Sequence, residues 1–254
     1  MTIAAAYLTH EGLVLGSDSA TTFTIGENRH FCNHAQKIFE VGEKGNLGVC
    51  TWGAGGLDGI SHRSLIARLG KELKPEWSVQ EAVEHFVEII KEQYTDDFGD
   101  LGYFIGGCLG DKCKAEGFAI YFSAGAKPSI IPLDVGFPYV QGCPDVYERL
   151  ILGYVWELRQ KLQVKYKISD KDFNELSQDY SGFPISLMPV REAVDFVFFL
   201  VYSTIKSYQY RIGIPFCGGA VEVAVITTDR PFRWVHHKRF NSAISVPVEG
   251  GGTA

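Results

Sequence analysis

The sequence predicts a layered α+β domain, two sheets face to face with helices outside. Three observations predict it. Short apolar runs bounded by turn residues come in groups, as strands do. Between those groups lie segments with helical periodicity. No linker-like stretch and no internal repeat divides the 254 residues, so 1–254 reads as one domain.

Ile3 to Thr9 is short and apolar, His10-Glu11-Gly12 is a turn, and Leu13 to Ser19 follows as the second arm of a hairpin. Residues 20–35 read as polar and irregular, with Gly26, Asn28 and Asn33. Lys37 to Val41 and Leu47 to Trp52 form a second hairpin, turned through Gly42-Glu43-Lys44-Gly45. After Gly55-Gly56, the residues Leu57, Ile60, Leu65, Ile66 and Leu69 take up a rough helical spacing. Ser78 with Glu81 three residues on is a capping box. The helix behind it places Val79, Ala82, Val83, Phe86, Ile89 and Ile90 on one face and fades at Asp96-Asp97-Phe98-Gly99.

Strands return at Gly102 to Leu109, Gly117 to Ser123 and Ser129 to Leu133. Asp145 is expected to cap a helix running through Val164, with Leu150, Ile151, Val155, Trp156 and Leu158 as its apolar residues. Residues 165–187 read as an insertion with one short helix. Pro189 suits a helix start, and Val190 to Tyr208 is a long apolar helix. Gly218 to Thr227 and Phe232 to His237 are the last strands, and the tail is expected to fray from 249.

A hydrophobic fraction of 46 % with 21 % charged residues is globular, which excludes disorder, collagen and coiled coil. The net charge of −6 leaves no strong basic field for phosphate backbones, so no nucleic acid is expected as a partner. The longest apolar run, Phe196 to Tyr202, falls short of the roughly 18 residues of a membrane span, so no membrane is expected either. The apolar run at Ile3 to Leu8 is too short for a signal peptide. Six scattered cysteines without a C-x-x-C pair suggest reduced thiols and a cytoplasmic chain.

Thr2 carries the chemistry. Initiator methionine is usually removed before a small second residue, which would expose Thr2 as the N-terminus. Such a threonine combines a nucleophilic hydroxyl with an α-amine of reference pKa about 7.7–8.0, able to accept its proton. Asp18 closes the second strand, Lys37 opens the third and Gly53 ends the fourth. Adjacent strand ends can gather these four at one sheet edge. There a lysine lowers the pKa of its neighbours, an aspartate aims it, and a glycine lets its N–H approach an oxyanion.

Other constellations read more plainly. His30-Phe31-Cys32-Asn33-His34 lacks a fourth ligand at zinc spacing, and adjacent His236 and His237 on a strand point to opposite faces, so no metal is assigned. Asp96-Asp97-Phe98-Gly99-Asp100 lacks the closing glutamate of a calcium loop. Gly53-Ala54-Gly55-Gly56 lacks the lysine of a phosphate loop, and Tyr180-Ser181-Gly182 is no nucleophile elbow. No cofactor is expected.

On these residues the sequence resembles the proteasome β-subunit superfamily, including the bacterial HslV peptidase, within the N-terminal nucleophile hydrolases. The segment from Thr2 through Thr22 matches the family start without a gap: Thr2 falls on the nucleophile, Gly12 on the hairpin glycine and Asp18 on the catalytic aspartate. Lys37 falls on the catalytic lysine after a slightly longer loop, and Gly53 on the oxyanion glycine. The resemblance places Cys50, Thr51 and Gly55 near the specificity pocket and sets Thr21 and Thr22 facing the peptide backbone. It makes Cys143, Cys217 and Ser19 supporting residues. Cys143 and Cys217 stand where the family has serines, Ile214 where proteasome subunits have aspartate, and Ala20 in place of a basic residue.

The resemblance implies a four-layer αββα sandwich and an N-terminal threonine peptidase that cleaves peptide bonds through a Thr2 acyl-enzyme. It also implies peptide or unfolded-protein substrates, a homo-oligomeric ring or helical assembly, and an ATPase unfoldase as partner. Two alternatives stay open: a non-catalytic scaffold of such an assembly, and a small-molecule amidase on the same fold.

Overall fold

A computed structural model of the chain describes residues 2–25, 28–57, 59–110, 113–178, 187–212 and 216–238. Its first hairpin pairs β1 (Ala4–Leu8) with β2 (Gly12–Ser17). Thr9 makes the turn: its Oγ1 accepts from the N–H groups of Glu11 and Gly12 at 3.1 and 3.0 Å. The stretch expected to be irregular forms a two-stranded ribbon instead, β3 (Thr21–Ile25) with β4 (Asn28–Cys32). Thr21-Thr22-Phe23-Thr24-Ile25 is β-branched and aromatic, and that strand preference outweighs its polarity.

β5 (Ile38–Val41) and β6 (Leu47–Gly53) form the second hairpin as expected. α1 (His62–Glu72) starts at Ser61, and α2 (Val79–Lys91) starts at Ser78 with both arms of its capping box formed. Then come β7 (Leu101–Gly107), β8 (Glu116–Phe122), β9 (Ser129–Pro132) and β10 (Pro138–Gln141), the last unforeseen. α6 (Val190–Gln209) follows Pro189, and β11 (Glu222–Thr227) and β12 (Arg230–His236) end the described chain.

The helix expected from Asp145 to Val164 is broken. It consists of a short turn, α3 (Asp145–Tyr147), a π-turn at Glu148–Leu152, and a separate α4 (Trp156–Tyr166). Gly153 is left-handed at φ 78° and Val155 is extended, so the chain restarts. Asp145 does not cap; its carboxylate accepts from Tyr208 Oη at 2.9 Å and from Arg211. Of the apolar residues of the expected helix, Leu150, Trp156 and Leu158 are exposed and Ile151 is buried. Within 165–187 the structure has α5 (Asp170–Gln178). Residues 179–186, Ile214 and the tail from 249 lie outside the described residues.

Two antiparallel five-stranded sheets result, ordered β10-β1-β2-β11-β12 and β5-β6-β7-β8-β9. Strand alternation splits the buried side chains into three clusters. Tyr7, Val14 and Val225 pack with Val197 and Leu200 of α6. Val49, Ile105 and Ile120 pack with Leu69 of α1 and Phe86 of α2. The third cluster draws on both sheets: Ala6, Leu13 and Leu15 with Ile38, Cys50 and Phe104.

After β7, the Cα atoms of Cys108 and Cys113 lie 5.0 Å apart, within the span that a disulfide bridges. Among the described residues, no helix is long and apolar enough to cross a membrane.

Candidate functional site

Asp18 organises the site. It leaves β2 as the strand ends, and its carboxylate is completely buried. Oδ1 accepts from Lys37 Nζ at 2.5 Å and from the Ile3 N–H at 3.2 Å. Oδ2 accepts from the N–H of Gly218 at 2.9 Å and of Ala20 at 3.3 Å. One carboxylate thus joins the start of the chain, the end of β2, the entry to β5 and the loop before β11. Burial pushes the Asp18 carboxyl up, while the Lys37 ammonium and the N–H donors pull it down.

Thr2 is 7 % exposed, and its neighbour Ile3 is tied to Asp18 at both backbone groups: Asp18 N donates back to Ile3 O at 3.2 Å. Gly142 backs Thr2. It has φ +84°, and a Cβ there would stand 1.8 Å from the Thr2 carbonyl oxygen. Only glycine lets the β10–α3 turn close on the chain start in this way.

Lys37 precedes β5, and its carbonyl accepts from Thr51 N at 2.9 Å, which sets it beside β6. Gly53 ends β6 at φ +87°, exposed, with Asp100 O so near that a Cβ would lie 2.2 Å from it. Thr21 and Thr22 are half-buried on β3.

Ser19 staples loops together: its Oγ donates to Asn33 O at 2.9 Å and accepts from Ala220 N at 2.8 Å. Cys143 and Cys217 are both buried. The Cys217 thiol, and then Tyr208, hold the Cys143 thiol below its ordinary range against burial, while Cys217 is pushed up by the same contact with Cys143. Cys50 is fully buried, its Sγ 3.7 Å from Gly16 O, and burial raises its thiol. Thr51 is buried against Gly102 O. Of the three residues expected near a specificity pocket, Gly55 alone lines the cavity described next.

That cavity has a volume of about 450 Å³ and is bounded by His34, Gln36, Gly55, Arg63, His237 and Lys238, among others. His62 borders it too, with Nε2 2.7 Å from Ala54 O and Nδ1 3.0 Å from Tyr103 Oη. A carbonyl only accepts, so Nε2 carries the proton and Nδ1 accepts from the tyrosine. Burial holds His62 below its ordinary pKa.

Glu222 escaped the sequence reading. It is completely buried at the start of β11, paired with Lys238 at 3.0 Å and His237 at 2.7 Å. Its signal was there: a lone charge inside Val221-Glu222-Val223-Ala224-Val225. Its charge acts on Cys50 together with those of Lys37 and Asp18, so it belongs to the same buried charged region. His236 points elsewhere, to Val221 O at 2.6 Å. Among the described residues no group of three His, Cys, Asp or Glu is placed to hold a metal.

No protein-family model matches the chain, and no curated protein matches it. The fold is similar to that of an Anbu (Gly-1) mutant from Hyphomicrobium sp. strain MC1. The TM-score is 0.58 at 13 % identity, covering 95 % of this chain and 88 % of that one. At that identity the likeness is one of fold: mixed α and β, with antiparallel sheets and flanking helices.

Proposed function

We propose that the chain is an N-terminal threonine amidohydrolase of proteasome-like type that cleaves peptide bonds. One observation carries the reading: the Asp18 carboxylate holds Lys37 on one side and the backbone next to Thr2 on the other. After loss of Met1, the Thr2 hydroxyl attacks the substrate carbonyl. The Thr2 α-amine takes the hydroxyl proton and returns it to the leaving amine. The Lys37 charge favours the developing alkoxide, and Asp18 keeps that charge in place. The Gly53 N–H stabilises the tetrahedral oxyanion. Water then hydrolyses the Thr2 ester and frees the acid.

The three apolar clusters support an αββα order of four layers within one domain. A homo-oligomeric ring or helix, an ATPase unfoldase partner and a cytoplasmic setting belong to the same proposal. A second reading, a non-catalytic scaffold, is favoured by Cys143 and Cys217, since a thiol pair relays protons less readily than the serines of the resembled family.

Intact mass of untagged protein, with and without a peptide epoxyketone, separates the two. That probe closes its ring only on a free α-amine beside a hydroxyl. A des-Met mass with a one-to-one adduct, lost in Thr2→Ala along with amide cleavage, is expected. Retained Met1, or cleavage unchanged in Thr2→Ala, would sink the nucleophile assignment.

A further inference from the structure

We propose that the cavity beside Lys37 and Gly53 binds a carboxylate of the peptide substrate, with the Arg63 guanidinium as its partner. This deepens the threonine amidohydrolase reading and rests on it, because the cavity is lined by chain neighbours of Lys37 and Gly53. Gln36 and His34 belong to the segment that delivers Lys37, and Gly55 lies two residues past Gly53. Lys238 Nζ donates to Ala35 O at 2.9 Å, so the far wall is tied to the same segment.

The charge of the cavity points to an anion. Arg63 and Lys238 line it with the imidazoles of His34 and His237, and none of its described lining residues is Asp or Glu. Lys238 and His237 already answer to Glu222. Arg63 does not: among the described residues no carboxylate pairs with it. Arg68, five residues along the same helix, is neutralised by Glu72 and Glu92. The first turn of α1, which borders the cavity, holds no acidic residue, and its N-cap is the neutral Ser61 hydroxyl, which accepts from Ser64 N.

Arg63 is held ready. One Nη donates to the Gln36 side-chain oxygen, and the guanidinium lies 5.4 Å over the Phe39 ring. Both contacts orient the fork without cancelling its charge, and its other donors match the two oxygens of a carboxylate. The volume suits one side chain or a chain end rather than a folded partner.

Fluorescence anisotropy on Thr2→Ala measures binding without turnover. Three labelled peptides of otherwise equal sequence are compared: amidated with Glu, amidated with Gln, and Gln with a free C-terminus. The Glu peptide should bind about tenfold tighter than the amidated Gln peptide. Arg63→Gln should erase the difference without moving the melting temperature, since Arg63 is exposed. If the free-ended Gln peptide gains instead, the carboxylate recognised is the chain terminus. Equal binding of all three overturns the proposal, as does a preference that survives Arg63→Gln. A preference in binding with no cleavage by the wild type would leave the cavity assignment standing and remove the peptidase reading. Cleavage by the wild type without the preference would do the reverse.

Discussion

Replacing Lys37 by Met tests the buried ion pair directly. Asp18 is completely buried and the Lys37 side chain 7 % exposed, so water replaces neither partner. Removing the cation leaves a buried carboxylate with its three backbone N–H donors, a change that costs about 3–5 kcal/mol. For a chain of this length that is a melting temperature lower by roughly 6–20 °C. The pH dependence identifies the cause. Burial already raises the Asp18 carboxyl and Lys37 opposes the rise, so without Lys37 it goes higher. A carboxyl with a raised folded pKa takes up its proton in the folded state first, and stability then recovers as pH falls. The gap between wild type and Lys37→Met should therefore narrow on acidification, by up to about 1.4 kcal/mol per pH unit while Asp18 is protonated in the variant alone. Urea unfolding at pH 7, 6 and 5 reads both effects. A loss below about 1 kcal/mol, or a gap that stays constant with pH, would show that Lys37 does not neutralise a buried Asp18.

Three further outcomes are expected. Gly142→Ala brings a Cβ to 1.8 Å from the Thr2 carbonyl at a φ of +84°. It should abolish the epoxyketone adduct and destabilise by about 1–3 kcal/mol, read by mass spectrometry and thermal melting; full labelling would refute the close packing. His62 is neutral and held below its ordinary pKa by burial, so the folded state binds fewer protons than the unfolded one. Its contribution is complete above the unfolded value of about 6.5 and is lost as pH falls toward the lower folded value. His62→Gln should flatten the stability profile there, and an unchanged slope in urea titrations counts against the assignment. Ser78→Ala removes one arm of the capping box of α2 and should cost about 1 kcal/mol in urea unfolding; no change would mean that Glu81 alone suffices.

What the sequence determined by itself is what is encoded locally. The hairpins of β1–β2 and β5–β6 were legible because turn residues and apolar runs lie within a dozen positions of each other. So were α2, with its Ser78–Glu81 cap, and α6 after Pro189. Of the strand-end residues Thr2, Asp18, Lys37 and Gly53, the structure joins Lys37 to Asp18 and ties Asp18 to the backbone next to Thr2. Where tertiary forces outweighed local pattern, the sequence misled. Asp145 looked like a cap, but Tyr208 and Arg211, more than 60 positions away, claim its carboxylate. The single helix expected from Asp145 to Val164 breaks at left-handed Gly153, and Trp156 and Leu158 on its restarted part are exposed. Only the tertiary structure decided which groups share one buried carboxylate: Lys37, 19 residues from Asp18, and Gly218, 200 residues away. It alone set Gly142 against Thr2, paired Glu222 with Lys238, and left Arg63 without an acidic partner among the described residues. Periodicity reports which face of an element is buried; which distant polar groups meet there depends on how the sheets and helices pack.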